Sequence, residues 1–65
     1  MRVIVNGQTL DTEAATLAAL MAERAMEGGW FATAVNGDFV PSDERHATPL
    51  ADGDRIEILT PMQGG

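Results

Sequence analysis

Val3-Ile4-Val5-Asn6-Gly7-Gln8-Thr9-Leu10 is the stretch on which the fold turns. Val3, Ile4 and Val5 are β-branched and suit a pleated, half-buried strand. Asn6 and Gly7 both tolerate positive φ, so they close a two-residue hairpin, and Gln8-Thr9-Leu10 returns as the second strand. Side chains alternate along a strand. Met1, Val3 and Val5 therefore share one face, and Arg2 and Ile4 share the other.

The same signal recurs downstream. Ala32-Thr33-Ala34-Val35 reads as a third strand, Asn36-Gly37 as a second hairpin turn and Asp38-Phe39-Val40 as a short fourth strand. Pro41 cannot donate to a ladder and ends it. Between the hairpins lies Thr16-Leu17-Ala18-Ala19-Leu20-Met21-Ala22-Glu23-Arg24-Ala25-Met26, rich in good helix formers. Thr16 is the expected N-cap. Leu17, Leu20, Met21 and the stem of Arg24 fall on one stripe, which reads as core. Gly28-Gly29 is the expected stop, with one glycine in the left-handed conformation. Ser42-Asp43-Glu44-Arg45 suggests a single helical turn capped by Ser42. Asp52-Gly53-Asp54 is a tight turn into the last strand, Arg55-Ile56-Glu57-Ile58-Leu59, whose isoleucines face one way. Beyond it the apolar period disappears. Residues 1–60 are expected to form the domain and residues 61–65 a flexible tail. One helix over a four- or five-stranded sheet makes a two-layer α+β domain.

Bulk properties bound the function. A chain of 65 residues is one domain, and at this size folding buries only about 60% of the unfolded surface. With no cysteine there is no disulfide, thiolate zinc site or cysteine nucleophile, so sulfur handled here cannot sit on a side-chain thiol. The formal net charge is -6, and Arg2, Arg24, Arg45 and Arg55 are scattered, which argues against nucleic acid. Acidity suits either solubility or a basic partner. No lysine offers an amine for isopeptide attachment. No apolar run approaches the roughly 20 residues of a membrane span. The N-terminus enters a strand directly without a signal-peptide pattern, so a soluble, cytoplasmic protein is expected.

Val5-Asn6-Gly7, the helix beginning Thr16-Leu17, Ala34-Val35-Asn36-Gly37, Val40-Pro41, Leu50-Ala51-Asp52-Gly53-Asp54, Ile56-Glu57-Ile58 and the closing Gly64-Gly65 occur in an order that resembles the ThiS family. These are the sulfur carriers of thiamin thiazole biosynthesis, in the ubiquitin-like β-grasp superfamily. The resemblance spans essentially the whole chain, and its specificity lies in the combination, since each motif alone is weak. It implies a mixed sheet with one main helix on one face. It also implies that a ThiF-like adenylyltransferase uses ATP to activate the Gly65 carboxylate. Sulfur from a donor such as a cysteine desulfurase then gives a thiocarboxylate, which the thiazole synthase ThiG consumes. The chain would be a co-substrate and not an enzyme, with no bound cofactor or metal.

The residue types fit that chemistry. A carboxylate is a poor electrophile until it becomes a mixed anhydride. Gly64 and Gly65 lack Cβ and can thread a narrow channel, with Gln63 and Met62 behind them. Pro61 to Gly65 can reach about 17 Å when extended. Ordering such a tail costs roughly 1–2 kcal/mol per residue, so the globular surface must also contribute to binding. The sheet face opposite the helix is the candidate docking surface. Alternation puts Ile4, Ala34 and Leu59 on it, with Phe39 as a further candidate; isolated surface apolars are the plain alternative.

Other residues carry less. His46 reads as a solvated loop residue. Asp52 and Asp54 flank a turn glycine, and a metal site would need more ligands. Asp43-Glu44 reads as a solvated acidic step. Trp30 reads as closing one end of the core or, alternatively, as exposed at an interface. Two other functions stay open: a thiocarboxylate carrier of another pathway, such as the small subunit of molybdopterin synthase, and a β-grasp interaction module or protein modifier without sulfur chemistry.

Overall fold

The computed structural model describes residues 1–26 and 30–60. Strands β1 (Arg2–Val5) and β2 (Gln8–Asp11) form the first hairpin. Asn6 and Gly7 sit at φ 50° and 85°, the paired positive values that a two-residue turn of this hand requires. Helix α1 (Leu17–Glu23) follows, then the second hairpin of β3 (Ala32–Val35) and β4 (Asp38–Val40). A 3-10 helix (Ser42–Ala47) leads to β5 (Arg55–Leu59).

Among the described residues the sheet has five strands in the order β2-β1-β5-β3-β4. The last strand thus enters the middle. It pairs parallel to β1 (Ile4↔Arg55, Val5↔Ile56) and antiparallel to β3 (Ala32↔Leu59 through Val35↔Ile56). A mixed sheet crossed on one face by a single main helix is the β-grasp arrangement that the sequence implies.

The core forms where the expected alternation meets the helix stripe. Val3 and Val5 from β1, Ile56 and Ile58 from β5, Val40 from β4 and Leu17, Leu20 and Met21 from α1 are all buried in one cluster. Burying a leucine or isoleucine contributes about 1.5–3 kcal/mol, so this cluster outweighs any single surface contact. Thr33 is buried on the same face. Its hydroxyl donates to the Val40 carbonyl at 2.8 Å and accepts from Arg45 Nε at 3.0 Å, which removes the penalty for burying it.

Thr16 caps α1 as expected, its hydroxyl accepting from the Ala19 amide at 3.1 Å. The other end differs. The helix stops at Glu23, Arg24 lies exposed as its C-cap, and Ala25 turns left-handed at φ 57°. The Ala25 amide donates to the Ala22 carbonyl at 3.0 Å and the Met26 amide to the Met21 carbonyl at 2.8 Å. These two bonds make a Schellman closure, normally built on glycine. The reason is packing: the closure returns Met26 to the core, against which it is partly buried. The expected stop at Gly28-Gly29 lies outside the described residues.

The 3-10 helix also corrects an expectation. It runs through Ala47, and Ser42 is its first residue and makes no cap; Pro41, extended at ψ 154°, precedes it without a side-chain bond. The Glu44 amide bonds to the Pro41 carbonyl at 2.9 Å, so the turn is closed by main chain alone.

Alanine is disfavoured in the left-handed region, so Ala25→Gly should stabilise the domain by about 0.5–1 kcal/mol. Thermal unfolding would then shift upward by several degrees; an unchanged or lowered midpoint would show that Ala25 carries no strain.

Candidate functional site

The outer face of the sheet is built by the residues whose parity opposes the core. Ile4 comes from β1, Arg55, Glu57 and Leu59 from β5, Ala32 and Ala34 from β3, and Phe39 from β4. The register places Ala34 beside both Phe39 and Glu57, Leu59 beside Ala32 and Ile4 beside Arg55. All four candidate residues, Ile4, Ala34, Phe39 and Leu59, therefore lie on one face, as alternation predicts.

Their exposure is unequal. Phe39 is 69% exposed and Leu59 61%, whereas Ile4 and Ala34 are half-buried. Phe39 and Leu59 rise on either side of β3, and the small side chains of Ala32 and Ala34 lie between them. The result is an apolar trough about 10 Å across, two strand spacings. Ile4 is separated from it by exposed Arg55 and Glu57. The surface is consequently mixed and not a continuous apolar patch. Exposed Arg2 and Asp11, paired across β1 and β2, form an ion pair at 3.2 Å on its margin.

Two shallow depressions mark this side of the domain. Ile4, Asn6, Gly7, Arg55, Glu57 and Leu59 line one. Trp30, Phe31, Ala32, Phe39, Pro41 and Arg45 line the other, and its Ala32 is the register partner of Leu59. Arg45 shapes that second depression. Its Nη2 donates to the Phe31 carbonyl at 2.6 Å while its Nε bonds to Thr33, tying the segment before β3 to the 3-10 helix.

Sequence reasoning missed Ala32 and Arg45, and it inclined Trp30 towards the core. Trp30 is 66% exposed. The usable signal was parity, because Trp30, Ala32 and Ala34 alternate in step. Arg45 had no such signal, since its partners come from elements made elsewhere in the chain.

The remaining acidic candidates are occupied structurally. Asp52 Oδ1 accepts from the Arg2 amide at 2.8 Å. Asp54 accepts from the Ala51 amide at 2.8 Å and from the Asn36 side chain at 3.0 Å. His46, Asp43 and Glu44 are exposed on the 3-10 helix. Among the described residues no group of three or more His, Asp or Glu side chains could hold a metal ion, and no helix is long and apolar enough to cross a membrane. Met62, Gln63, Gly64 and Gly65 lie outside the described residues.

A small mixed sheet crossed by one main helix and carrying a partly apolar outer face is a ubiquitin-like β-grasp domain. The model of the ThiS family matches residues 2–65, and the chain belongs to that family. Membership supports a sulfur-carrier role. The crystal structure of the thiamine biosynthesis protein ThiS from Geobacter metallireducens superposes with a TM-score of 0.82 at 26% identity, covering 100% of both chains. The solution structure of a thiamine biosynthesis protein from the same organism gives 0.74 at 27% identity, over 100% of this chain and 88% of that one. No curated protein matches the chain.

Trp30 is the sole tryptophan, so its fluorescence reports this edge. In the free chain its emission should be red-shifted and readily quenched by acrylamide. A blue-shifted, protected emission would contradict its exposure.

Proposed function

We propose that the chain carries sulfur for thiamin thiazole formation as a thiocarboxylate on Gly65. The observation that carries this reading is that the family match extends to residue 65, so the Gly64-Gly65 ending lies within it. The full mutual coverage with the Geobacter ThiS structure supports it over carriers of longer chain length, such as the small subunit of molybdopterin synthase.

The chemistry follows from the acyl carbon. The Gly65 carboxylate attacks the α-phosphorus of ATP on a ThiF-like adenylyltransferase, and pyrophosphate leaves. The terminal sulfur of a persulfide supplied by a donor such as a cysteine desulfurase then attacks the acyl carbon. The C–S bond forms as the C–O bond to AMP breaks. A thiol of the partner enzymes afterwards attacks the donor-side sulfur of the acyl disulfide, breaking its S–S bond and leaving a disulfide on those enzymes. The resulting thiocarboxylate is an effective sulfur nucleophile for the thiazole synthase ThiG. This chain contributes no catalytic group and holds no cofactor; ATP is bound by the activating enzyme. Its part is to present the carbonyl. Gly64 and Gly65 keep the approach unhindered, Met62 and Gln63 thread behind them, and the outer face supplies the docking energy that a short tail lacks. Phe39 and Leu59 are the exposed anchors of that face, and Ala34 and Ile4 its half-buried parts.

Intact-mass measurement tests the reading directly. Incubated with ATP, the activating enzyme and a sulfur donor, the chain should gain the mass difference of one oxygen replaced by one sulfur, localised to Gly65. An unmodified mass with an enzyme proven active would defeat the carrier role. Gly65→Ala, which places a methyl beside the reacting carbonyl, should lose most of this conversion.

Docking is tested separately. Phe39→Asp with Leu59→Asp changes the two most exposed anchors and should leave folding intact, whereas substitution of half-buried Ile4 would confound the two. Loss of an interface anchor typically exceeds 1 kcal/mol, so kcat/KM for adenylation should fall by about tenfold or more. An unaltered kcat/KM would remove this face from the interface.

A further inference from the structure

Asn6 has a second role beyond its turn. Its Nδ2 donates to the Ile58 carbonyl at 2.9 Å, and its Oδ1 accepts from the Ile58 amide at 2.9 Å. Both main-chain groups of one β5 residue are thus held by one side-chain amide.

The position explains why this matters. β1 pairs with β5 only at Ile4↔Arg55 and Val5↔Ile56, and the Asn6 amide adds one bond to the Ile56 carbonyl at 2.9 Å. The main chain then turns away at Gly7, while β5 continues. Successive strand residues direct their main-chain groups to alternate sides, so Ile58 faces the space that β1 has left. The Asn6 carboxamide fills that space with one donor and one acceptor, as a further strand residue would. On the other side β3 pairs with Leu59 through Ala32. The last turn-side bond on β5 is therefore made by Asn6, immediately before Leu59 and Thr60.

We propose that Asn6 is a positioning residue for the chemistry at Gly65: it fixes where, and in which direction, the C-terminal segment leaves the sheet. This rests on the carrier reading above. An enzyme that grips the outer face and reacts at Gly65 in one encounter depends on a defined start for the tail. If the Asn6 bonds to Ile58 are lost, Leu59 stays paired to Ala32 on the β3 side, but the start of the tail is no longer fixed and the effective concentration of the carboxylate in the enzyme's site falls.

The fold supplies its own control. Asn36, at φ 52° in the second hairpin turn, clamps the opposite end of β5. Its Oδ1 accepts from the Arg55 amide at 3.0 Å, and its own amide donates to the Arg55 carbonyl at 2.7 Å. The two clamps differ in build as well as in distance from the tail: Asn6 holds Ile58 by two side-chain bonds, whereas Asn36 holds Arg55 by one side-chain and one main-chain bond and gives its Nδ2 to Asp54 at 3.0 Å. Because Asn6 and Asn36 both have positive φ, glycine keeps either backbone and removes only the side-chain bonds.

Asn6→Gly and Asn36→Gly chains would be compared with wild type at a temperature where all are folded. Amide exchange would be read residue by residue, and adenylation kinetics with the activating enzyme. A lost pair of hydrogen bonds should speed exchange at Ile58 in Asn6→Gly by about tenfold relative to Val3 and Ile56. The same variant should lower kcat by about tenfold with KM little changed, because the face still docks while the tail is delivered less often. Asn36→Gly should speed exchange at Arg55 and keep the wild-type kcat. Equal loss of kcat in both variants, or exchange at Ile58 that merely follows Val3 and Ile56, would reduce Asn6 to a general stabiliser. An unchanged kcat in Asn6→Gly beside an active wild type defeats the assignment of Asn6 alone. A wild-type chain that is never adenylated defeats the carrier reading itself.

Discussion

Insertion of β5 between β1 and β3 is the constraint on which the rest of the structure depends. β1 lies near residue 4 and its β5 partner near residue 55, so the central pairing joins the two ends of the chain. Loop closure over such a span costs only slowly more with length, but it must be met before the contacts reward it. The two hairpins and the helix are local and can form around the gap. Only β5 unites them, because its Ile56 and Ile58 reach α1's leucines and both neighbouring strands at once. A slip of one residue would send Ile56 and Ile58 outward and Arg55, Glu57 and Leu59 into the core. The Asn6 and Asn36 clamps act against that slip from opposite ends.

The same strand connects packing to function. Its inward residues hold the core, its outward residues form the middle of the outer face, and its end precedes the Gly-Gly segment. Core and candidate docking surface are thus coupled through five residues, Arg55–Leu59. The outer face is mixed in chemistry for a physical reason. A free domain this small with a continuous apolar face would associate with itself, whereas exposed Arg55 and Glu57 interrupt the apolar surface between Ile4 and the trough of Phe39, Ala34, Ala32 and Leu59. Interspersed charge on such a surface disfavours self-association.

The β-grasp arrangement alone does not specify sulfur chemistry, since one fold hosts many functions. Family membership over residues 2–65 narrows it, and the absence of cysteine narrows it further. A chain that carries sulfur without a thiol must use a group other than a cysteine side chain.

Much was legible in the sequence because it depends on neighbours a few residues apart. Two Asn-Gly pairs set two hairpins, β-branched alternation set the buried faces of β1 and β5, the Leu17-Leu20-Met21 stripe set the helix's inner side, and Thr16 its start. Ile4, Ala34, Phe39 and Leu59 could be placed on one face by parity alone, and the ThiS resemblance could be read from motifs in order. Tertiary structure decided what parity and propensity cannot reach. It set the neighbours of β5, the unequal exposure of Phe39 and Ile4, and the outward placement of Trp30 beside a loop that Arg45 ties down. It also ended α1 at a left-handed Ala25, because returning Met26 to the core outweighed further helix. Asn6 shows the division most clearly: its identity announces a turn from two residues of context, but its bonds to Ile58 exist only once a strand 52 positions away has been laid beside it.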